Sequence, residues 1–99
     1  MKIRYSPRAT RDLDAIHEYL ANQTSQGAAN VMAAIFAAVE FARRHPEAAP
    51  AVASIPNVRG IIVHRYRFKV FYRVLSTEDV VEIVHVRHTS RRPWSGQAD

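Results

Sequence analysis

An α+β fold is what this sequence predicts: a short N-terminal strand, an antiparallel helical hairpin, then a C-terminal antiparallel β-sheet meander. Three observations predict it. Apolar residues recur at helical spacing, first through Ala9, Leu13, Ile16 and Leu20 and then through Ala28, Met32, Ile35, Val39 and Ala42. The polar break between these stretches, Thr24-Ser25-Gln26-Gly27, is too short for a domain linker, so the second helix folds back on the first. After Asn57 the helical period gives way to runs rich in Val, Ile, Phe and Tyr, the residues that fit a pleated surface.

Each element has a local reason. Lys2 to Tyr5 alternates charge with Ile3 and Tyr5, the period of a half-buried strand. Ser6-Pro7 reads as an N-cap followed by proline at the first helical position, where its missing N–H costs nothing. The first helix then runs to about Asn22, with Arg8, Arg11, Asp12, Asp14 and Glu18 expected to face water. The second helix is expected from about Gly27 to Arg44. Ala29, Ala33, Ala34, Ala37 and Ala38 flank its stripe, Arg43, Arg44 and His45 sit where the helix dipole favours cations, and Pro46 stops it. Three prolines mark residues 46–56 as a connection. Gly60–His64, Phe68–Leu75 and Val80–His88 are the expected strands, the last two joined by a hairpin loop over Ser76-Thr77-Glu78-Asp79. The last strand is apolar on both faces, with Val81 and Ile83 on one and Val80, Val84 and Val86 on the other, which predicts a central strand covered twice. From Thr89 the tail is polar, basic and irregular.

With 99 residues, of which 47% are hydrophobic, the chain suits one domain over 1–99 and one modest core. The absence of cysteine removes disulfide frameworks, thiolate zinc sites and cysteine nucleophiles, and suits a reducing, cytoplasmic setting. The longest apolar run, Val31 to Val39, is far short of the roughly 18 residues that cross a bilayer, so no membrane role is expected. Net charge is +5 and uneven: residues 1–49 hold six basic and five acidic side chains, residues 50–99 eight and four. Residues 59–73 carry Arg59, Arg65, Arg67, Lys69 and Arg73 with no acid, and residues 85–94 carry Arg87, Arg91 and Arg92 with none. Such fields steer polyanions, either nucleic acid or an acidic protein.

No metal or nucleotide signature is present: no paired Cys/His spacing, no HExxH, and only three glycines, far apart. Neither metal nor cofactor is expected. His85 and His88 differ by an odd number and so point to opposite faces of a regular strand, which is unlike a metal pair; a structural role at the sheet end is the simpler reading for each. Arg65 with Arg67, and Lys69 with Arg73, are an even number apart and would share a face if the strand ran through them. Arg87, Arg91, Arg92 and Trp94 close the chain with arginine forks and one aromatic plate, suited to phosphates, stacked bases or an acidic protein groove. The plain alternative is a solvated basic face, although a solubility face ordinarily mixes charge signs.

The string SPRATRDLDAIHEYLA, the alanine-rich second helix ending RRHPEAAP, and the strand series RGIIVHRYRFKVFYRV and VVEIVHVRHTSRRPW resemble the RelE/ParE superfamily of toxins from bacterial type II toxin–antitoxin systems. The pieces that carry the resemblance are Asp12-Leu13 with Ile16 and Tyr19, Phe71-Tyr72-Arg73-Val74, and the closing pattern Val86, His88, Arg91, Pro93. Within the superfamily the chain is more similar to the ParE branch, often called plasmid stabilisation protein. The resemblance implies a cytoplasmic protein that inhibits DNA gyrase and so replication by binding, and a cognate antitoxin whose acidic, amphipathic C-terminal segment wraps the toxin. On that reading Arg65, Arg67, Arg87, His88, Arg91, Arg92 and Trp94 face target or antitoxin. The alternative is a RelE-like, ribosome-dependent mRNA endoribonuclease, in which a ribose 2′-OH attacks its own phosphate. That reaction needs a base, an acid and cations, for which Arg65, Arg73, Arg87 and His88 are the candidates. It is disfavoured because no Tyr follows Tyr72 and Trp94 exchanges no proton. A small basic nucleic-acid-binding module is a third reading.

Overall fold

The structure, a computed structural model, describes residues 1–94 and 96. Its elements follow in the order β1 (Lys2–Tyr5), α1 (Pro7–Ala21), α2 (Ser25–Arg44), β2 (Arg59–Val63), β3 (Phe68–Leu75) and β4 (Val80–His88). The Ser6 hydroxyl accepts from the Ala9 amide at 3.0 Å and Pro7 opens α1, as the N-cap reading requires. The second helix starts two residues before the expected Gly27, because Thr24 Oγ1 accepts from the Gly27 amide at 2.8 Å and makes Ser25 the first helical residue. The hairpin loop over 76–79 is a single 3-10 turn closed by Asp79 in the left-handed region, at φ 56°.

The sheet order is β1-β4-β3-β2, with β1 parallel to β4 and the other pairs antiparallel. The meander expected for the last three strands is therefore present, and β1 adds itself beyond β4, which becomes an interior strand. Helices α1 and α2 cover one face. On the other, Ile55 and Val58 from the α2–β2 connection pack with Phe71, and Val52, Val84 and Trp94 lie against them. Coverage on both sides explains the doubly apolar β4.

One expectation about β4 fails for a definite reason. Tyr72 pairs with Ile83 but Phe71 pairs with His85, so Val84 is an extra residue and β4 carries a β-bulge there. Beyond the bulge the alternation is reset. Val86 therefore joins Val81 and Ile83 in the helix-side core instead of sharing a face with Val80 and Val84.

Tyr72, Val70 and Ile35 are fully buried in that core. The Tyr72 hydroxyl donates to the Pro46 carbonyl at 2.8 Å, tying the α2–β2 connection to β3. Burial pushes the phenol pKa of Tyr72, and that of Tyr5, above the ordinary 10.0. The fold thus favours the neutral phenol. Its contribution is complete below pH 10.0 and is lost as pH rises through the raised folded-state value, so denaturant midpoints should hold through neutral pH and fall on the alkaline side. Tyr72→Phe should lower the unfolding free energy at neutral pH by about 0.5–1.5 kcal/mol for the lost hydrogen bond while flattening the alkaline decline.

The shared strand face expected for Arg65 and Arg67 is also absent. Strand β2 ends at Val63, and residues 64–67 form a tight turn in which the Arg67 amide donates to the Val63 carbonyl at 2.8 Å and Arg67 sits at φ 59°. Among the described residues, no helix is long and apolar enough to cross a membrane.

Candidate functional site

The register of the sheet decides which basic residues meet. Phe68 pairs with His88, so the β2–β3 turn and the segment leaving β4 share one end of the sheet, and the Thr89 amide donates to the Arg67 carbonyl at 2.7 Å. Arg65, Arg67, Arg87, His88, Arg91 and Arg92 all belong to that end. Arg65, Arg67, Arg91 and Arg92 are exposed, the first lying with its guanidinium 5.4 Å from the Tyr66 ring centroid.

Arg87 and His88 are consecutive in a strand and take opposite faces. His88 lies on the helix side, edge-on to Phe68 at 5.2 Å, with Nδ1 held by the Ser90 hydroxyl at 2.7 Å and the Ser90 amide at 3.1 Å. Arg87 lies on the helix-free face directly opposite Lys69, and its guanidinium donates to the Arg92 carbonyl at 2.6 Å. Burial, followed by the nearby charges of Arg91 and Arg8, holds the Arg87 pKa below its ordinary value; Asp12 acts in the opposite direction and Arg92 adds slightly.

Arg73 does not join this group. Its side chain is on the helix-free face, as its even spacing from Lys69 requires, but near the other end of the sheet it grips Glu82 with Nε and Nη2, each at 2.7 Å. Arg4 reaches the second oxygen of Glu82 at 3.3 Å and Glu78 at 3.1 Å. Glu82 is 9% exposed and bridges β1, β4 and β3, so Arg73 is committed to holding strands together.

Two further contacts depart from the sequence reading. Trp94 is not a free end of an irregular tail: it is half-buried, with its ring centroid 4.8 Å from Phe71 and 4.7 Å from His85, and the Arg8 guanidinium lies 5.7 Å over it. Nor does Asp12 face water. Its Oδ2 accepts from the Val86 amide at 3.0 Å and lies 2.5 Å from Nδ1 of His85, which is 0% exposed. This pair joins α1 to β4 just past the end of β1, where the β4 edge has no neighbouring strand. His85 Nε2 is buried against the aromatic rings with no hydrogen-bond partner among the described residues.

Two recesses flank the basic end. On the helix side a groove of 580 Å³ has Ile16, Tyr19, Leu20, Tyr66 and Phe68 for walls, with Asp12, His88 and Arg91 at its rim. On the other face a cleft of 340 Å³ is lined by Lys69, Phe71, Arg87, Arg91, Arg92 and Trp94, among others. Among the described residues, no three His, Asp or Glu side chains converge as a metal ion would need.

Fold and surface together define a small basic α+β protein with two helices on one face of a four-stranded mixed sheet. The same fold is found in the chromosomal ParDE toxin–antitoxin system from P. aeruginosa (21% identity, TM-score 0.76, 89% of this chain and 95% of that one). It is found again in the intact E. coli RelBE toxin–antitoxin complex (14%, TM-score 0.66, 91% and 98%) and in the isolated E. coli RelE toxin (15%, TM-score 0.65, 92% and 86%). No curated protein sequence matches the chain. The chain belongs to the ParE toxin family, whose model, described as ParE toxin of the type II toxin–antitoxin system parDE, matches residues 3–93.

Proposed function

We propose that this ParE-family chain acts in the cytoplasm by binding DNA gyrase and blocking replication, without a catalytic group of its own, and that a cognate antitoxin neutralises it. Retention of a plasmid would follow from that pairing. The observation that carries the reading is the fate of the residues a ribonuclease would need. Arg73 is bound to Glu82 away from the basic end, Arg87 and His88 lie on opposite faces, and His88 Nδ1 is engaged by Ser90. Arg87 and His88 both line the recesses at the basic end, but neither Arg65 nor Arg73 is among the residues lining them, so the four do not gather around one phosphate as a base, an acid and cations must. The exposed arginines, by contrast, gather at one end of the sheet, a distribution suited to a binding surface.

The antitoxin proposal rests on apolar surface left uncovered. Tyr19 is 68% exposed, and Phe36, Phe41 and Ile62 are each exposed by more than two-fifths. The helix-side groove joins apolar walls to a rim bearing His88 and Arg91, which suits an acidic amphipathic segment docked as a helix or added strand. The test compares gyrase supercoiling with ribosome-bound mRNA cleavage using the same purified chain. Inhibited supercoiling without cleavage is the expected result; cleavage of the mRNA overturns it.

A further inference from the structure

We propose that the cleft on the helix-free face is a binding site for single-stranded nucleic acid, taking phosphates on Lys69, Arg87, Arg91 and Arg92 and a base against the aromatic wall of Trp94. This goes beyond the gyrase reading, because it assigns the toxin a nucleic-acid contact of its own, whichever enzyme it arrests.

Charge is the first argument. Lys69 and Arg87 are direct cross-strand partners on one face, and like charges so placed destabilise a sheet. Arg91 and Arg92 lie beside them, and Arg8 is close enough to depress the Arg87 pKa further. No Asp or Glu is among the lining residues. Asp12, which partly offsets these charges at Arg87, is held by His85 and the Val86 amide, and Glu82 is taken by Arg4 and Arg73. An arrangement that repels itself in the free protein is relieved by a ligand carrying several negative charges.

Shape and chemistry narrow the ligand. Trp94 and Phe71 line the cleft in edge-to-face contact, with the Lys69 ammonium 5.1 Å from the Phe71 centroid. The lysine stem runs close over β2 at Gly60, where a Cβ would fall 2.5 Å from Lys69 Cε and push the flexible end of the lysine aside. Cations next to an aromatic wall suit a phosphodiester with an unstacked base, the combination that single-strand sites use. A duplex keeps its bases stacked and presents only backbone to such a recess, and a carboxylate side chain has no ring face to stack on Trp94.

Trp94 is the one tryptophan in the chain, so its fluorescence reports this cleft directly. The full-length chain is titrated with short fluorescein-labelled oligo(dT), following anisotropy and tryptophan emission together over a salt series. Binding should alter Trp94 emission in step with anisotropy. Lys69→Gln with Arg87→Gln should weaken it on the order of tenfold and lower the log–log salt slope by about 1.4, at about 0.7 per phosphate contact on single strands. Arg44→Gln, on α2 beside Glu40, should leave both unchanged. If the double variant fails to fold by circular dichroism, Arg91→Gln with Arg92→Gln in the exposed tail makes the same test. Anisotropy change without a Trp94 response, an unchanged salt slope in the folded cleft variant, equal binding of duplex, or equal binding of polyglutamate would each overturn the proposal.

Discussion

Asp12→Ala should lower the melting temperature by about 15 °C or more in a circular dichroism melt, a large effect for an exchange on a helix that reads as amphipathic. One carboxylate oxygen serves two groups: the Val86 amide and His85 Nδ1, the latter on a ring with no solvent access. Removing it strands both, at about 1–3 kcal/mol each. Against a total of about 5–15 kcal/mol, that is a substantial share. Asp12→Asn separates the contributions. Its amide oxygen can still accept from Val86, and its NH₂ can donate to His85 if the imidazole takes the other tautomer, so it should recover part of the loss. A melting temperature unchanged in Asp12→Ala would mean that this pair does not hold α1 on β4.

That prediction could not have been made from periodicity, and the reason shows how sequence reading divides here. The strands were legible because each has its own composition and is bounded by turn residues: β1, β3 and β4 have the expected limits, and β2 differs by one residue at each end. The helices were legible from caps and stripes, except that Thr24, which reads as part of the polar break, is the N-cap of α2. Contacts that depend on register were not legible. Asp12 and His85 are 73 residues apart, and a bulge at Val84 resets the alternation that decides which way His85 faces, an irregularity for which Val-Glu-Ile-Val-His-Val holds no glycine or proline signal. The pairing of Arg73 with Glu82 likewise follows from the β3–β4 register, and an even spacing from Lys69 could not reveal it. Among the candidate residues, the clustering of Arg65, Arg67, Arg91 and Arg92 at one end was recoverable in outline, since a turn and a tail at the same end of a hairpin are neighbours. Trp94 turning back onto Phe71 and His85 was not, because nothing in Arg91-Arg92-Pro93 indicates direction.

The substitution with the largest expected effect on activity is the pair Arg91→Glu with Arg92→Glu, where solubility and binding make opposite forecasts. Both side chains are exposed, and the hydrogen bonds that involve this pair, Arg87 to the Arg92 carbonyl and the Arg91 amide to the His88 carbonyl, use backbone that the substitution leaves in place. Stability should move by no more than about 0.5 kcal/mol per site. Charge at the surface changes by four units, which slows steered association and places repulsive pairs against any acidic or phosphate-bearing target. Growth arrest on induction should therefore disappear while the melting curve stays in place. Trp94→Ala supplies the contrast. Its ring packs on Phe71 and His85, so its loss should lower the melting temperature as well as activity, and toxicity alone cannot interpret it. Full arrest from a folded Arg91→Glu, Arg92→Glu protein would remove the tail from the target surface. The remaining exposed candidates would then be Arg65 and Arg67 in the β2–β3 turn, because Arg73, gripping Glu82, is already engaged within the sheet.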